Sequence, residues 1–247
     1  MITRREFLSL VPVVFAPNLT KEELEKFKHA RPLEYLRGPK NKKNISLTFD
    51  GDWLDNGVDR ILETLKKENC KSTFFLTGKF MERYPDAVQK IFYEKHEIAN
   101  HSYNHQDFVN LYKKSPEMIL NQIYMTENIF FHTIKSSLNK AWRAPLGSRN
   151  MDVLRYLSRF GYYHIYWTFD TLDWVADKKD KNYFSSDEIE RRLFASIKKD
   201  RFGGNGYIIL AHVGSLRKND AFYYKLPSLV SRLKEKYRLV TIDELLE

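Results

Sequence analysis

Five short strings in this chain hold the residue types that move protons or bind cations. Asp50 and Asp52 stand in TFDGDW, His101 and His105 in HSYNH, and Arg143 in RAPLG. Asp170 and Asp173 stand in DTLDW, and His212 closes LAH. Two imidazoles four residues apart on a helical turn point the same way. With one carboxylate they form a divalent-ion set that leaves positions open for water and substrate. If the backbone stays extended through Gly51, Asp50 and Asp52 project from one face and bring a carboxylate pair to that set. Taken singly, each string reads as an ordinary polar surface. Their common position makes them informative, because each follows a β-rich run: ISLTF, HEIAN, AW, IYWTF and YIILA. Parallel α/β folds gather their sites at the carboxyl ends of strands. By the same reasoning His96, His132 and His164, which lack such company, are structural or surface residues, and Asp170 is a turn residue.

The elements that must position these groups alternate. β-rich runs at 45–50, 72–76, 97–100, 141–144, 165–169, 207–211 and 239–241 predict seven strands. Between them Val58, Ile61, Leu62 and Leu65 follow helical spacing, and so do Val153, Leu154, Leu157 and Phe160. Pro85 and Pro116 mark first helical positions, Gly161 a helix end, and Ser185 with Glu188 a capping box. Such alternation predicts a parallel sheet covered by helices, as an open doubly wound sheet or as a closed barrel. Periodicity does not separate the two.

With 247 residues the chain has room for one sizeable α/β domain or two small ones, and no repeat or second domain is visible. The net charge of +9 suits acidic surroundings, but the lysines are mixed with glutamates along helical segments, and no nucleic-acid-binding motif occurs. The single cysteine, Cys70, excludes an internal disulfide and cysteine-rich zinc sites, and reads as a small core residue. The start, MITRREFLSLVPVVFAPN, joins Arg4 and Arg5 to an apolar run too short to span a bilayer. It has the form of an export signal of twin-arginine type over residues 1–19. Residues 20–44 are then expected as an N-terminal extension and 45–247 as the catalytic domain.

TFDGDW, HSYNH, RAPLG, DTLDW and LAH together resemble the five ordered motifs of the polysaccharide deacetylases, carbohydrate esterase family 4, and STFFLTG (72–78) resembles that family's second strand. Four motifs match in order and at sensible spacing. The resemblance implies a distorted (β/α)₇ barrel and a metal-dependent hydrolase that removes N-acetyl groups from an amino-sugar polymer of the cell envelope, such as peptidoglycan. It implies a catalytic set in which Asp50 is the general base, Arg143 orients Asp50, His212 is the general acid and Asp173 supports the Arg143 region. It implies a divalent ion, commonly zinc, on His101 and His105. Substrate contacts would come from the Leu146 backbone N–H, from Trp174, and from Leu210 beside the acetyl pocket. The first motif departs from the family's T-F-D-D-G. Gly51 stands where the family has a metal-binding aspartate, and Asp52 follows one residue on. Asp52 is expected to take the metal role; the alternatives are an ion held by two histidines and water, or Asp50 as ligand. The same site would also serve O-acetyl esters or a small amide, and a non-catalytic carbohydrate-binding homologue is the alternative outside enzymes. The implied partner is a polysaccharide, with no nucleic acid, a membrane met only during export, and a final place in the periplasm or envelope.

Overall fold

The computed structural model describes residues 32–247. The expected export segment, 1–19, and residues 20–31 of the expected extension lie outside them.

Side chains of β2 (Asn44–Gly51) alternate between two faces, as a period of two demands. Ile45, Leu47 and Phe49 enter the apolar layer beneath the helices. Thr48 and Asp50 turn the other way, and both meet Arg143 there. In β3 (Thr73–Leu76) Phe74 and Leu76 join the same outer layer. Phe75 joins an inner cluster with Ala99, Ala141, Tyr163, Ile165 and Ile208.

All pairings are parallel. From β2 the ladder runs through β3, β4 (Glu97–Asn100), β5 (Ala141–Trp142) and β6 (Tyr163–Ile165). On its other edge β2 pairs with β8 (Ile208–His212), and β8 with β7 (Phe169–Asp170). β6 and β7, consecutive in the chain, stand toward opposite ends of this ladder, and the curled parallel sheet is the distorted α/β barrel. Between them in the chain Tyr166 and Trp167 stack on each other, with ring centroids 3.9 Å apart. The carbonyls of Ile165 and Tyr166 accept instead from Arg143 Nε at 3.1 Å and Nη2 at 3.4 Å. The expected single strand at 165–169 is thus two strands with a side chain filling the gap. Residues 32–44 do more than extend beside the core, since β1 (Glu34–Tyr35) pairs with β6. β9 (Arg238–Leu239) pairs with the start of β2 and stops short of 241, because Thr241 caps the helix Ile242–Leu246.

The helices form where the apolar spacing places them: Val58–Lys67, Pro85–Tyr93, Pro116–Ile134, Met151–Ser158, Ser186–Lys199 and Leu226–Lys234. Ser185 and Glu188 make the reciprocal capping box. Two more, Gly78–Arg83 and Phe108–Lys114, are too short for a periodic signal and start from side-chain caps on Thr77 and Asp107. Cys70 is buried in the outer apolar layer. The amino-terminal end of the barrel is plugged by Ile242 and Leu245. There Glu97 accepts from Thr73 Oγ1 (2.6 Å), Asn139 Nδ2 (2.5 Å) and the backbone N–H groups of Ile242 (2.9 Å) and Asp243 (3.2 Å). Burial and the nearby Asp243 push its carboxyl above the usual glutamate range. Among the described residues no helix is long and apolar enough to cross a membrane.

Candidate active site

Asp50 and His212 are neighbours across the β2–β8 ladder, so strand pairing sets them side by side at the carboxyl end. Arg143, at the end of β5, reaches across the barrel with its guanidinium 3.9 Å above the Phe75 ring. Its Nη1 donates to Asp50 Oδ1 at 2.6 Å and to Thr48 Oγ1 at 2.9 Å. Burial alone would raise the Asp50 carboxyl, but the Arg143 guanidinium, with His101 and His212 nearby, holds it below the usual range. Asp50 therefore stays ionised, with Oδ2 free toward the cavity.

His101 and His105 converge, but not on a helical turn. The segment is a loop in which Ser102 and His105 adopt φ of 68° and 59°. Such values are uncommon for residues with a side chain. Local polar bonds hold them: Asn100 Oδ1 accepts from Ser102 N (2.9 Å), and Ser102 Oγ from His105 N (3.1 Å). The two rings still meet, with centroids 4.9 Å apart. His101 Nδ1 lies 3.0 Å from the Arg143 carbonyl, which can only accept. The ring proton is thereby assigned to Nδ1, and the Nε2 lone pair turns toward Asp50 Oδ2 at 3.4 Å. Burial drives the His101 pKa down to about 3 and lowers that of His105, so both rings are neutral at physiological pH.

Asp52 reaches the same cavity as Asp50. Thr77 Oγ1 donates to Asp52 Oδ1 (3.2 Å) while accepting from Phe80 N (3.0 Å). Asp52 Oδ2 is buried without a hydrogen-bond partner, 3.7 Å from His105 Nδ1. Gly51, between the two carboxylates, faces the opposite layer. A Cβ there would stand 2.7 Å from Leu76 Cδ2 and 3.3 Å from Val213 Cγ2. In this backbone a side chain at 51 would enter the apolar core, and the next cavity-facing position after Asp50 is 52.

Asp173 corrects the expectation that it supports the Arg143 region. Its Oδ1 accepts from His212 Nδ1 at 2.7 Å and its Oδ2 from the His212 backbone N–H at 2.9 Å. The cause is topological: β7 lies against β8, so the loop after β7 is delivered to His212 rather than to β5. Burial would lower the His212 pKa, but Asp173, helped by Asp50 and Asp170, raises it. With Nδ1 committed to Asp173, Nε2 is the ring atom left to exchange a proton.

These groups line one cavity of about 530 Å³. Leu146, Leu210 and Trp174 line it too, Leu210 buried and Leu146 and Trp174 69% and 55% exposed at its rim. Leu146 sits at φ 59° in the turn after β5. Its N–H stays out of that turn's bonding, which joins Gly147 to Ala144 and Ser148 to Pro145. His164 is structural as expected: Nδ1 pairs with Glu34 Oε1 at 2.9 Å, and Nε2 accepts from Ala144 N at 3.0 Å, which steadies this turn. His96 is buried and His132 exposed, both away from the cavity. Asp170 bonds the turn at Leu172 N (2.8 Å), yet it also lines the cavity, where burial raises its carboxyl above the usual range. Trp53, Trp167, Ser215 and Leu216 complete the wall. Each follows a strand within a few residues, the one signal that could have marked them.

Among the described residues no three histidine, cysteine or carboxylate side chains stand at closed metal spacing; they face one another in pairs. The donor set nonetheless suits a divalent cation. His101 turns the Nε2 lone pair toward Asp50, His105 brings Nδ1 to 3.7 Å from Asp52, and Asp52 Oδ2 is buried with its acceptor capacity unspent. Such nitrogen and oxygen donors match zinc and similar ions.

Residues 37–171 match the family model for polysaccharide deacetylases. The chain is 34% identical over 220 residues to a peptidoglycan-N-acetylglucosamine deacetylase of Bacillus cereus, covering 86% of this chain and 76% of that one. It is 29% identical to the peptidoglycan-N-acetylmuramic acid deacetylase of Bacillus subtilis, over 86% of this chain and 74% of that one. A crystal structure of a carbohydrate esterase family 4 pseudoenzyme from Bacillus anthracis superposes with a TM-score of 0.74 at 28% identity, covering 89% of this chain and 71% of that one.

Proposed function

The chain belongs to the polysaccharide deacetylase family, and we propose that it is a metal-dependent hydrolase that removes N-acetyl groups from amino sugars of a peptidoglycan-type envelope glycan. The observation that carries the catalytic reading is the two ion pairs Arg143–Asp50 and Asp173–His212, whose Asp50 and His212 stand on the neighbouring strands β2 and β8. They supply a base held ionised and, beside it in one cavity, an acid whose pKa is raised.

In this reading Asp50 Oδ2 takes the proton of the attacking water. Leu210 lies beside the acetyl methyl, and the Leu146 N–H faces the developing oxyanion. His212 Nε2 gives its proton to the leaving amine as the C–N bond breaks. His101, His105 and Asp52 hold the cation, zinc being the favoured ion. When bound, it supplies positive charge that acidifies water and polarises the acetyl carbonyl. Substrate names carried by the Bacillus relatives, and the twin-arginine-like start, support an exported enzyme acting in the envelope. The competing reading is a non-catalytic carbohydrate-binding homologue, and the likeness to a pseudoenzyme supports its lack of turnover.

Acetate release from N-acetylglucosamine oligomers and from peptidoglycan tests this, after EDTA treatment and again with Zn²⁺ restored. Release that EDTA abolishes and Zn²⁺ restores is expected. Glycan binding with no acetate released from the Zn²⁺-loaded protein would overturn the proposal in favour of a binding protein.

A further inference from the structure

The loop after β7 carries Asp173 and Trp174, and a three-point fastening of its backbone comes from outside the five motifs. Arg217, five residues beyond His212, is buried with its guanidinium spread over three carbonyls. Nε donates to Val175 O at 2.8 Å, Nη1 to Phe184 O at 2.8 Å, and Nη2 to Leu172 O at 3.0 Å. Leu172 and Val175 bracket Asp173 and Trp174 in sequence. Leu172 has φ 59°, an unfavourable conformation for a branched side chain. A turn of that kind persists only when its surroundings over-determine it. The loop after β8, which carries Arg217, is tied in turn to the loop after β2. Ser215 N and O bond Asn56 Oδ1 and Nδ2, each at 2.9 Å. Arg217 N then bonds Ser215 Oγ at 3.1 Å.

We propose that Arg217 is a positioning residue that clamps the Leu172–Val175 turn and thereby aims Asp173 at His212. It touches no reacting atom; its effect passes through the Asp173–His212 hydrogen bond. Only a planar fork with donors on three sides serves these three carbonyls together, so lysine is not a substitute despite equal charge. The inference rests on the reading of His212 as the acid. It is tested in a way that separates the two.

The full-length protein, Arg217→Lys, Asp173→Asn and the double variant are compared by proton NMR, Tm and acetate release from an N-acetylglucosamine oligomer. The parent should show a low-field imidazole N–H resonance that vanishes in Asp173→Asn. Arg217→Lys should shift or lose that resonance while Tm stays near the parent value. It should lower kcat about tenfold with little change in KM, the mark of an interaction expressed in the transition state. In the Asp173→Asn background the same change should cost less than about twofold, as expected of residues acting through one contact. An unchanged resonance in Arg217→Lys, or equal losses in both backgrounds, would overturn the proposal. So would a parent lacking the low-field signal, or unfolding of both Arg217→Lys and Arg217→Gln, which would make Arg217 a residue of the fold alone. If the parent releases no acetate, the enzymatic reading fails, and the NMR arm still decides whether Arg217 sets the Asp173–His212 bond.

Discussion

The barrel holds a buried carboxylate, Asp50, near its carboxyl end and a half-buried one, Glu97, near its amino end, and the two are handled in opposite ways. Asp50 at the carboxyl end is met by a guanidinium; Glu97 at the amino end is met by a hydroxyl, an amide and two helix N-terminal N–H groups. Burial works against ionisation in both. At Asp50 the positive charge of Arg143 prevails and the carboxyl is held low; at Glu97 the donors are uncharged and the carboxyl is pushed up. The first arrangement keeps a base ready and leaves one oxygen to the cavity. The second spends both oxygens and clasps the last helix to the sheet. Burial of a carboxylate therefore does not mark a reactive group; the charge of its partners and the freedom of its second oxygen do.

The largest test of this contrast is Asp50→Asn. Turnover should fall between about 100- and 10,000-fold, the usual worth of a positioned proton acceptor, with the fold kept. Acetate release together with circular dichroism measures both, and near-parent activity would remove Asp50 from the mechanism. Next is Asp173→Asn. Its carboxylate raises the His212 pKa, so losing it should move the alkaline limb of the kcat/KM profile to lower pH and cut the rate about tenfold or more. A stationary limb would separate Asp173 from the acid. Third, Gly51→Asp should not strengthen the site. The new side chain enters the layer of Leu76 and Val213, so Tm should drop by the equivalent of about 1–3 kcal/mol, with Zn²⁺ affinity by calorimetry no higher. Asp52→Ala should weaken that affinity, and the reverse pattern would place the ligand at 51. Smallest is Glu97→Gln, with unchanged turnover and a stability change of about 1 kcal/mol, or roughly 2–4 °C for a chain of this size. Its pH dependence has a sign. A carboxyl pushed up in the folded state binds its proton more tightly there, so the parent should gain on the variant as pH falls. The Asp50 contribution runs the other way, present above the ordinary carboxylate range and lost on acidification. Calorimetry from about pH 7 to 4 reads the Glu97 trend, and a flat difference would mean Glu97 is not titrating there.

The strands and most helices were legible because β2 alternates polar and apolar residues, β3 is a short run of β-favouring residues, and Val58–Lys67 repeats its apolar residues at helical spacing. The strand-end placement of Asp50, Arg143 and His212 followed from the same reading. What stayed hidden depends on which strands touch. Nothing in DTLDW tells that its second aspartate meets His212, because that follows from β7 lying on β8. The gap between β6 and β7 is filled by an Arg143 side chain from another strand, and the left-handed turns at Ser102 and His105 are held by local polar bonds that hydrophobic spacing does not register. Arg217 lies outside every motif, and its three acceptors are backbone carbonyls, which have no letter in a sequence.

Arg143 also fills the gap between β6 and β7, with one edge of its guanidinium on Asp50 and the other on the carbonyls of Ile165 and Tyr166. Chemistry and architecture thus share one side chain. A descendant that loses the aspartate inherits an unneutralised cation at the suture of its barrel, and one that loses the arginine inherits an open suture. Drift away from catalysis by either route should leave a second, compensating substitution at this spot, and a lineage history of the fold could be read there first.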